Sequence, residues 1–202
     1  MRVLIACEYS GVVRSAFARR GHTAVSCDLL PSDNPQGWHI QGDVLKVLDA
    51  GWDMMICHPP CTHLAVSGAK HFAAKRESGV QQEALEFVRA LLAAPIPLIA
   101  LENPVSIISS HVRKPDQVIH PYMFGHMERK TTCLWLKGLP TLHPTNDVHA
   151  ETMALPVNIR DRVHYMPPSA DRWKLRSTTY AGIAEAMAEQ WGNADQFRLE
   201  AA

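Results

Sequence analysis

The stretch Arg2–Asp28, RVLIACEYSGVVRSAFARRGHTAVSCD, carries three structural signals in succession. Arg2 to Cys7 is a short apolar run that reaches Gly11 through Glu8-Tyr9-Ser10. From Val12 to Arg20, Val13, Ala16, Phe17 and Arg20 recur at helical spacing, and Gly21-His22 ends the pattern. Thr23 to Cys27 is a second run suited to a strand, and Asp28 stands at its C-terminal end. Strand, tight turn, helix, strand is the reading, and it predicts a parallel βαβ unit.

The same alternation continues outward. Asp43 follows Ile40-Gln41-Gly42, and Trp52 to Cys57 reads as a buried strand that runs into His58-Pro59-Pro60-Cys61. The two prolines forbid a continuing ladder, so Cys61 is expected in a loop at a strand's carboxyl end. Gly79 to Ala93 reads as a helix with Ala84, Phe87, Val88, Leu91 and Leu92 on one face; Pro97 to Leu101 is a further strand ending in Glu102-Asn103-Pro104. Lys130 to Lys137 is a late strand, residues 138–175 have no clear periodicity, and Ile183 to Trp191 is a last helix. The expected fold is α/β: a Rossmann-like, doubly wound, mostly parallel sheet in a single domain spanning residues 1–202. Ligands of such sheets collect outside the carboxyl ends of the strands, where Asp28, Cys61 and Glu102 are all expected.

Composition narrows the setting. The 202 residues are 47% hydrophobic, enough for one compact core. The longest apolar stretch, Ala90 to Leu101, is shorter than the ~20 residues of a membrane span and is broken by Pro95 and Pro97. Glu8 interrupts the N-terminal apolar run, so no signal-peptide core is expected, and the expected location is the cytoplasm of a bacterial host cell. The five cysteines, Cys7, Cys27, Cys57, Cys61 and Cys133, are odd in number and dispersed, which points to reduced thiols. The 20 basic and 20 acidic residues balance, so no global polycationic signal for nucleic acid is present, although ten Lys or Arg face six Asp or Glu from Arg113 to Arg176.

A thiol, a carboxylate and an amide side chain at neighbouring strand ends suit nucleophilic addition to an electron-poor ring. Cytosine C5 is a weak nucleophile until something adds at C6. Its alkylation therefore needs a thiol, an acid for N3 and an electrophilic donor. Pro59-Pro60-Cys61 resembles the Pro-Cys motif of DNA cytosine-C5 methyltransferases, and Glu102-Asn103-Pro104 resembles their Glu-Asn-Val motif. Arg14, Ala16-Phe17, Arg20 and Gly21-His22 resemble the helix that follows their cofactor turn, so the resemblance covers most of the chain and is nearest to small, bacteriophage-type members.

The resemblance implies the class I fold of S-adenosylmethionine-dependent methyltransferases, S-adenosyl-L-methionine as cofactor and DNA as substrate. It implies Cys61 as nucleophile, Glu102 as acid with Asn103 beside it, and Lys130 as the residue steadying the target base. Asp28 is implied to hold the cofactor ribose, Asp43 the adenine amino group, and Pro59 and Gly182 to border the cofactor. In the turn, the family's Asp-Leu-Phe-Ala-Gly-x-Gly is replaced by Ile5-Ala6-Cys7-Glu8-Tyr9-Ser10-Gly11, which leaves Glu8 to hold the cofactor ammonium and Tyr9 to pack on it. Residues 138–175 are too short for a full target-recognition domain, so low sequence specificity, a single-stranded substrate or a protein partner for recognition is expected.

Other readings compete. A different donor or a nucleotide substrate would give a related C5 modification, and a non-catalytic nucleotide- or DNA-binding module would keep the fold alone. Asp28 and Asp43 also suit plain turn residues, and Glu102 a capping carboxylate. Cys57, His58, Cys61, His63 and His71 have the residue types of a zinc site, but Cys57 would end a buried strand and point away, so no metal is expected. His143, His149 and His164 are expected on a polar surface loop, and Trp173 and Trp191 in the core.

Overall fold

A computed structural model describes residues 1–193. The remainder of the expected 1–202 domain, residues 194–202, lies outside the described residues. The elements run β1 (Arg2–Ala6), α1 (Val12–Arg19), β2 (Thr23–Asp28), β3 (Trp38–Gln41), β4 (Met54–Cys57), α2 (Phe72–Glu77), α3 (Val80–Leu92), β5 (Leu98–Pro104), α4 (Ile108–His111), β6 (Gln117–Ile119), β7 (Thr132–Lys137), α5 (His149–Ala154), α6 (Val157–Arg160), α7 (Arg162–Tyr165), α8 (Arg172–Ser177) and α9 (Ala181–Trp191). Seven strands form a sheet in the order β3-β2-β1-β4-β5-β7-β6. All neighbours are parallel except that β7 runs against both β5 and β6. The doubly wound, mostly parallel α/β fold expected from the sequence is the one that forms.

Period-two alternation sorts the strand residues into two cores. Val3, Ile5, Met54, Ile56, Leu98, Ala100 and Leu134 face Val13, Phe17, Ile183, Met187 and Trp191 of α1 and α9. Leu4, Ala6, Met55, Cys57, Ile99, Leu101 and Trp135 face Leu85, Val88 and Leu91 of α3. Central strands buried on both faces read as near-continuous apolar runs, which is why β1, β4 and β5 are recognisable without a partner in view. The buried tryptophans also satisfy their indole N–H groups: Trp135 donates to the Arg113 carbonyl at 2.8 Å and Trp191 to the Pro140 carbonyl at 3.0 Å.

Two expectations are corrected. Residues 138–175 are not irregular throughout, since α5, α6, α7 and α8 lie there, each only four to six residues long. One turn and a half is too short for a 3.6-residue period to register in sequence. Trp173 is not a core anchor. It lies on α8, is 49% exposed, and rests its ring 5.5 Å from that of Tyr9.

A buried guanidinium fastens the β2–β3 connection. Arg14, 1% exposed on α1, donates to Ser26 Oγ at 2.9 Å and to the carbonyls of Asn34 and Gln36, both at 2.7 Å. Gly11 has φ 71°, and a Cβ there would stand 2.7 Å from the Arg14 guanidinium, so both backbone conformation and space demand glycine. Arg14→Met removes these donors from buried and half-buried acceptors and should lower unfolding free energy by about 3 kcal/mol. A urea midpoint lowered at unchanged slope is the expected result; an unmoved midpoint would show the loop is held otherwise.

Candidate active site

The register of three parallel strands positions the chemistry. Ala6 pairs with Cys57, and Cys57 with Leu101, so the residues one step further on, His58 and Glu102, emerge side by side. The His58 N–H continues the ladder by donating to the Ala6 carbonyl at 3.0 Å. Adjacent positions on parallel strands point their side chains to the same face, and His58 Nδ1 lies 3.1 Å from Glu102 Oε2. Strand β5 continues past the expected end at Leu101: Glu102, Asn103 and Pro104 pair with Leu134, Cys133 and Thr132 of β7.

Asn103 ties the nucleophile's loop to this strand. Its side chain is 1% exposed, and Nδ2 donates to the Pro59 carbonyl at 2.9 Å. Beyond Pro60 the chain turns tightly, with the N–H groups of Leu64 and Ala65 both donating to the Cys61 carbonyl. Val66 N–H donates to the Val105 carbonyl, and Ile107 N–H to that of Leu64, closing the loop onto the end of β5. Cys61 is left exposed at the strand's carboxyl end, where the sequence placed it.

Electrostatics distinguish this thiol from the other four. Burial is the main cause that pushes Cys7 up to about 12 and Cys27 up to about 11, with Asp28 adding to both, and burial carries Cys57 well above the ordinary thiol range. Cys133 is raised by burial and by Glu102. Cys61 is exposed as a residue, yet protein packed around its sulfur and the Glu102 carboxylate raise it, while Lys130 and Arg176 pull it back. The protein packed around the half-buried Glu102 opposes ionisation, but the His58 hydrogen bond and the charges of Lys130 and His58 outweigh it and hold Glu102 below the usual carboxylate range. Lys130 Nζ is itself held by the Arg176 carbonyl at 2.9 Å, so α8 fixes the cation that acts on both groups.

On the other side of β4 lies the turn after β1. Cys7 takes φ 58°, a left-handed conformation that L-residues rarely adopt. Glu8 is 4% exposed, and its carboxylate accepts from the N–H groups of Val13 at 2.6 Å and Arg14 at 3.2 Å. It serves as the cap of α1, stabilised by the helix's positive end. Burial raises Glu8, and His58 is the first of the groups that oppose this. Tyr9 is buried under α8, with its hydroxyl 3.1 Å from Ser177 Oγ and Lys174 Nζ 5.4 Å from its ring.

Asp28 and Asp43 follow β2 and β3. Each spends one carboxylate oxygen on its own turn, Asp28 on Leu30 N–H at 2.9 Å and Asp43 on Leu45 N–H at 3.0 Å. Both lie close enough to Cys7 to raise it. The exposed side chains of Leu29, Ile40 and Leu45 belong to the same edge. A second carboxylate oxygen on each aspartate and apolar neighbours suit the diol and flat ring of a nucleoside. Gly182 sits in the first turn of α9, where a Cβ would stand 2.0 Å from the Phe124 carbonyl; what surrounds it is Phe124 and His126.

The structure thus brings Cys61, Glu102, Asn103, Pro59 and Lys130 to one cluster, and gathers Glu8, Tyr9 and Gly11 in the neighbouring turn. Sequence reasoning missed His58 and Arg176 as members. Register was the available signal for His58, because two apolar strands ending in His58 and Glu102 pair side by side only in a parallel sheet. Nothing local marks Arg176, which arrives on a helix too short to read. His149 and His164 are not on an irregular loop; they belong to α5 and α7 and line a hollow of about 440 Å³ with His120, Tyr122, Arg129 and Asp161. Among the described residues, no group of three or more His, Cys, Asp or Glu is arranged to hold a metal ion, and no helix is long and apolar enough to cross a membrane.

No protein-family model matches the sequence, and no curated protein matches it. Among solved structures, one similar chain is a candidate DNA modification methyltransferase encoded within a prophage (E. coli), at 15% sequence identity and a TM-score of 0.42. The match covers 66% of this chain and 45% of that one, less than half of its length.

Cys61 is the only exposed cysteine among the described residues, and Lys130 is the first of the two cations that favour its thiolate, ahead of Arg176. Alkylation of the folded protein by iodoacetamide should therefore label Cys61 first. Lys130→Met should move the rise of that labelling to higher pH and slow it at pH 7. An unchanged profile in Lys130→Met would show that Lys130 does not act on the thiol.

Proposed function

We propose that the protein transfers a methyl group from S-adenosyl-L-methionine to C5 of cytosine in DNA, through a covalent adduct of Cys61 at C6. The observation that carries this reading is the pairing of an exposed cysteine on a proline-stiffened loop with a half-buried glutamate on the adjacent strand, the loop bolted to that strand by Asn103. Cys61 attacks C6, Glu102 delivers a proton to N3 as the ring accepts electrons, and Lys130 offers a positive charge beside both. Loss of the C5 proton after alkylation then expels the thiolate and restores the ring. When bound, S-adenosylmethionine supplies the electrophilic methyl group; Asp28 and Asp43 would hold its ribose and adenine.

Reaching a base at Cys61 requires taking it out of the stack, at a cost of a few kcal/mol in a duplex and less in a single strand. A balanced net charge and the short segment 138–175 favour single-stranded DNA or recognition with a protein partner. One observation supports a second reading. Both oxygens of Glu8 are engaged by α1, so the amino-acid end of the donor would be held differently than the resemblance implies, and a donor with another transferable group would yield a different C5 substituent.

Nucleoside mass spectrometry of DNA from cells expressing wild type or Cys61→Ser tests both. 5-Methylcytosine only with wild type is the expected result, and Glu102→Gln should reduce its rate of formation about a hundredfold or more. A different modified cytosine would replace the donor, and unmodified DNA in every case would sink the cytosine reading.

A further inference from the structure

If Glu102 is the acid for cytosine N3, its surroundings pose a difficulty. The residue is largely enclosed, yet His58, Lys130 and the hydrogen bond at 3.1 Å hold it as a carboxylate. A carboxylate has no proton to give. The proton must come from a neighbour, and the group within hydrogen-bond reach of Glu102 is His58 Nδ1.

His58 is built for this. Its side chain is 9% exposed, and the ladder bond from its N–H to the Ala6 carbonyl fixes its backbone. Nδ1 faces Glu102 from β4 to β5, while Nε2 is buried without a hydrogen-bond partner. Glu8, in the turn after β1, is near enough for His58 to favour its ionised form. The imidazole is thus hydrogen-bonded to one acidic group and feels a second. The other ionisable groups in reach are Lys130 and Arg176 beside Cys61, and the thiols of Cys7, Cys57 and Cys133, which stay protonated.

We propose that His58 and Glu102 act as one proton-carrying pair, His58 being the positioning residue whose Nδ1 supplies the proton that Glu102 delivers to cytosine N3. The proposal rests on the cytosine-addition reading and extends it. As Cys61 adds at C6, the Nδ1–H bond of His58 breaks and its proton passes to Glu102, which hands it on to the electron pair displaced toward N3. His58 is left neutral and Glu102 is again a carboxylate. When the C5 proton is lost and the C6–S bond breaks, the N3 proton returns along the same line. One proton is moved and none is consumed. Coupled groups of this kind titrate as a pair rather than as two independent residues.

Two measurements on the full chain test this. The first needs no substrate: in protein labelled with 13C at glutamate carboxyls, the Glu102 signal, assigned by its absence in Glu102→Gln, should titrate at higher pH in His58→Asn than in wild type. Asparagine keeps an N–H donor near the place of Nδ1 but cannot carry the charge, so a merely structural role would leave the titration unmoved. Identical titration in the two proteins overturns the pair. The second is trapping on single-stranded DNA containing 5-fluorocytosine. Wild type should form the adduct, faster as rising pH ionises Cys61. His58→Asn should trap about a hundredfold more slowly, and His58→Gln, whose donor sits at the Nε2 end, should do the same. A wild-type rate in either variant overturns the proposal. Absence of any wild-type adduct defeats cytosine addition and the delivery role with it, while the carboxyl titration still decides whether the pair exists.

Discussion

Ala6, Cys57 and Leu101 occupy one rung of the parallel sheet, and the chemistry of the molecule is placed by the residues just past that rung on each strand. After Ala6 comes the turn that buries Glu8, after Cys57 the His-Pro-Pro-Cys loop, and after Leu101 the Glu-Asn pair. A parallel register allows no sliding here, because a shift by one residue would exchange the two apolar faces and turn Leu4, Met55 and Ile99 toward α1 and α9. The packing that fixes the register thus also fixes the distance between His58 and Glu102. Stability and site geometry are set by the same contacts.

The charges then have to be reconciled with burial. Taking a carboxylate out of water disfavours its charged form, so burial alone would raise Glu102. Its ionised state depends on His58, held by the sheet, and Lys130, held by the Arg176 carbonyl. Glu8 is a different solution to the same problem. It accepts two backbone N–H groups at the start of α1, and burial still raises it. One carboxylate is stabilised by mobile protons and cations, the other by fixed dipoles. The first suits proton transfer, the second suits holding a turn in which Cys7 adopts a conformation usual for glycine.

Much of this was legible in the sequence, and where it was not the reason is physical. The strands β1, β4 and β5 are buried on both faces, so their apolar runs stand out, and prolines at 59 and 60 mark the loop of Cys61. Glu102 was expected just past the end of its strand rather than within it, because the antiparallel partner β7 that extends β5 to Pro104 is remote in sequence. In sequence His58 stands among cysteines and histidines, the residue types of a zinc site that is not expected there, and nothing points to a carboxylate partner. Its neighbour in space is a glutamate 44 residues away. Trp173 misled for a related reason: a large aromatic beside helical residues normally packs inward, but α8 has six residues and no buried one, so it can only lie on the surface.

That surface position gives α8 its importance. It rests on the turn after β1 through Tyr9, whose ring meets Trp173 and whose hydroxyl meets Ser177, and on the β2–β3 connection through the ion pair of Lys174 with Asp33. At its other end the Arg176 carbonyl receives Lys130, and the Arg176 charge reaches Cys61. Most of these contacts are half-exposed and individually weak, the ion pair in particular because solvent screens both of its charges. A strap held in this way touches both the side that would take the donor and the side that would take the base, while committing little energy to either. Displacing it removes the partner of Lys130, and with it the restraint on the cation that holds Glu102 ionised and Cys61 closer to its thiolate. The electrostatics of the cluster therefore depend on a segment outside the sheet, and the rigid register supplies positions whose charge state that segment helps to set.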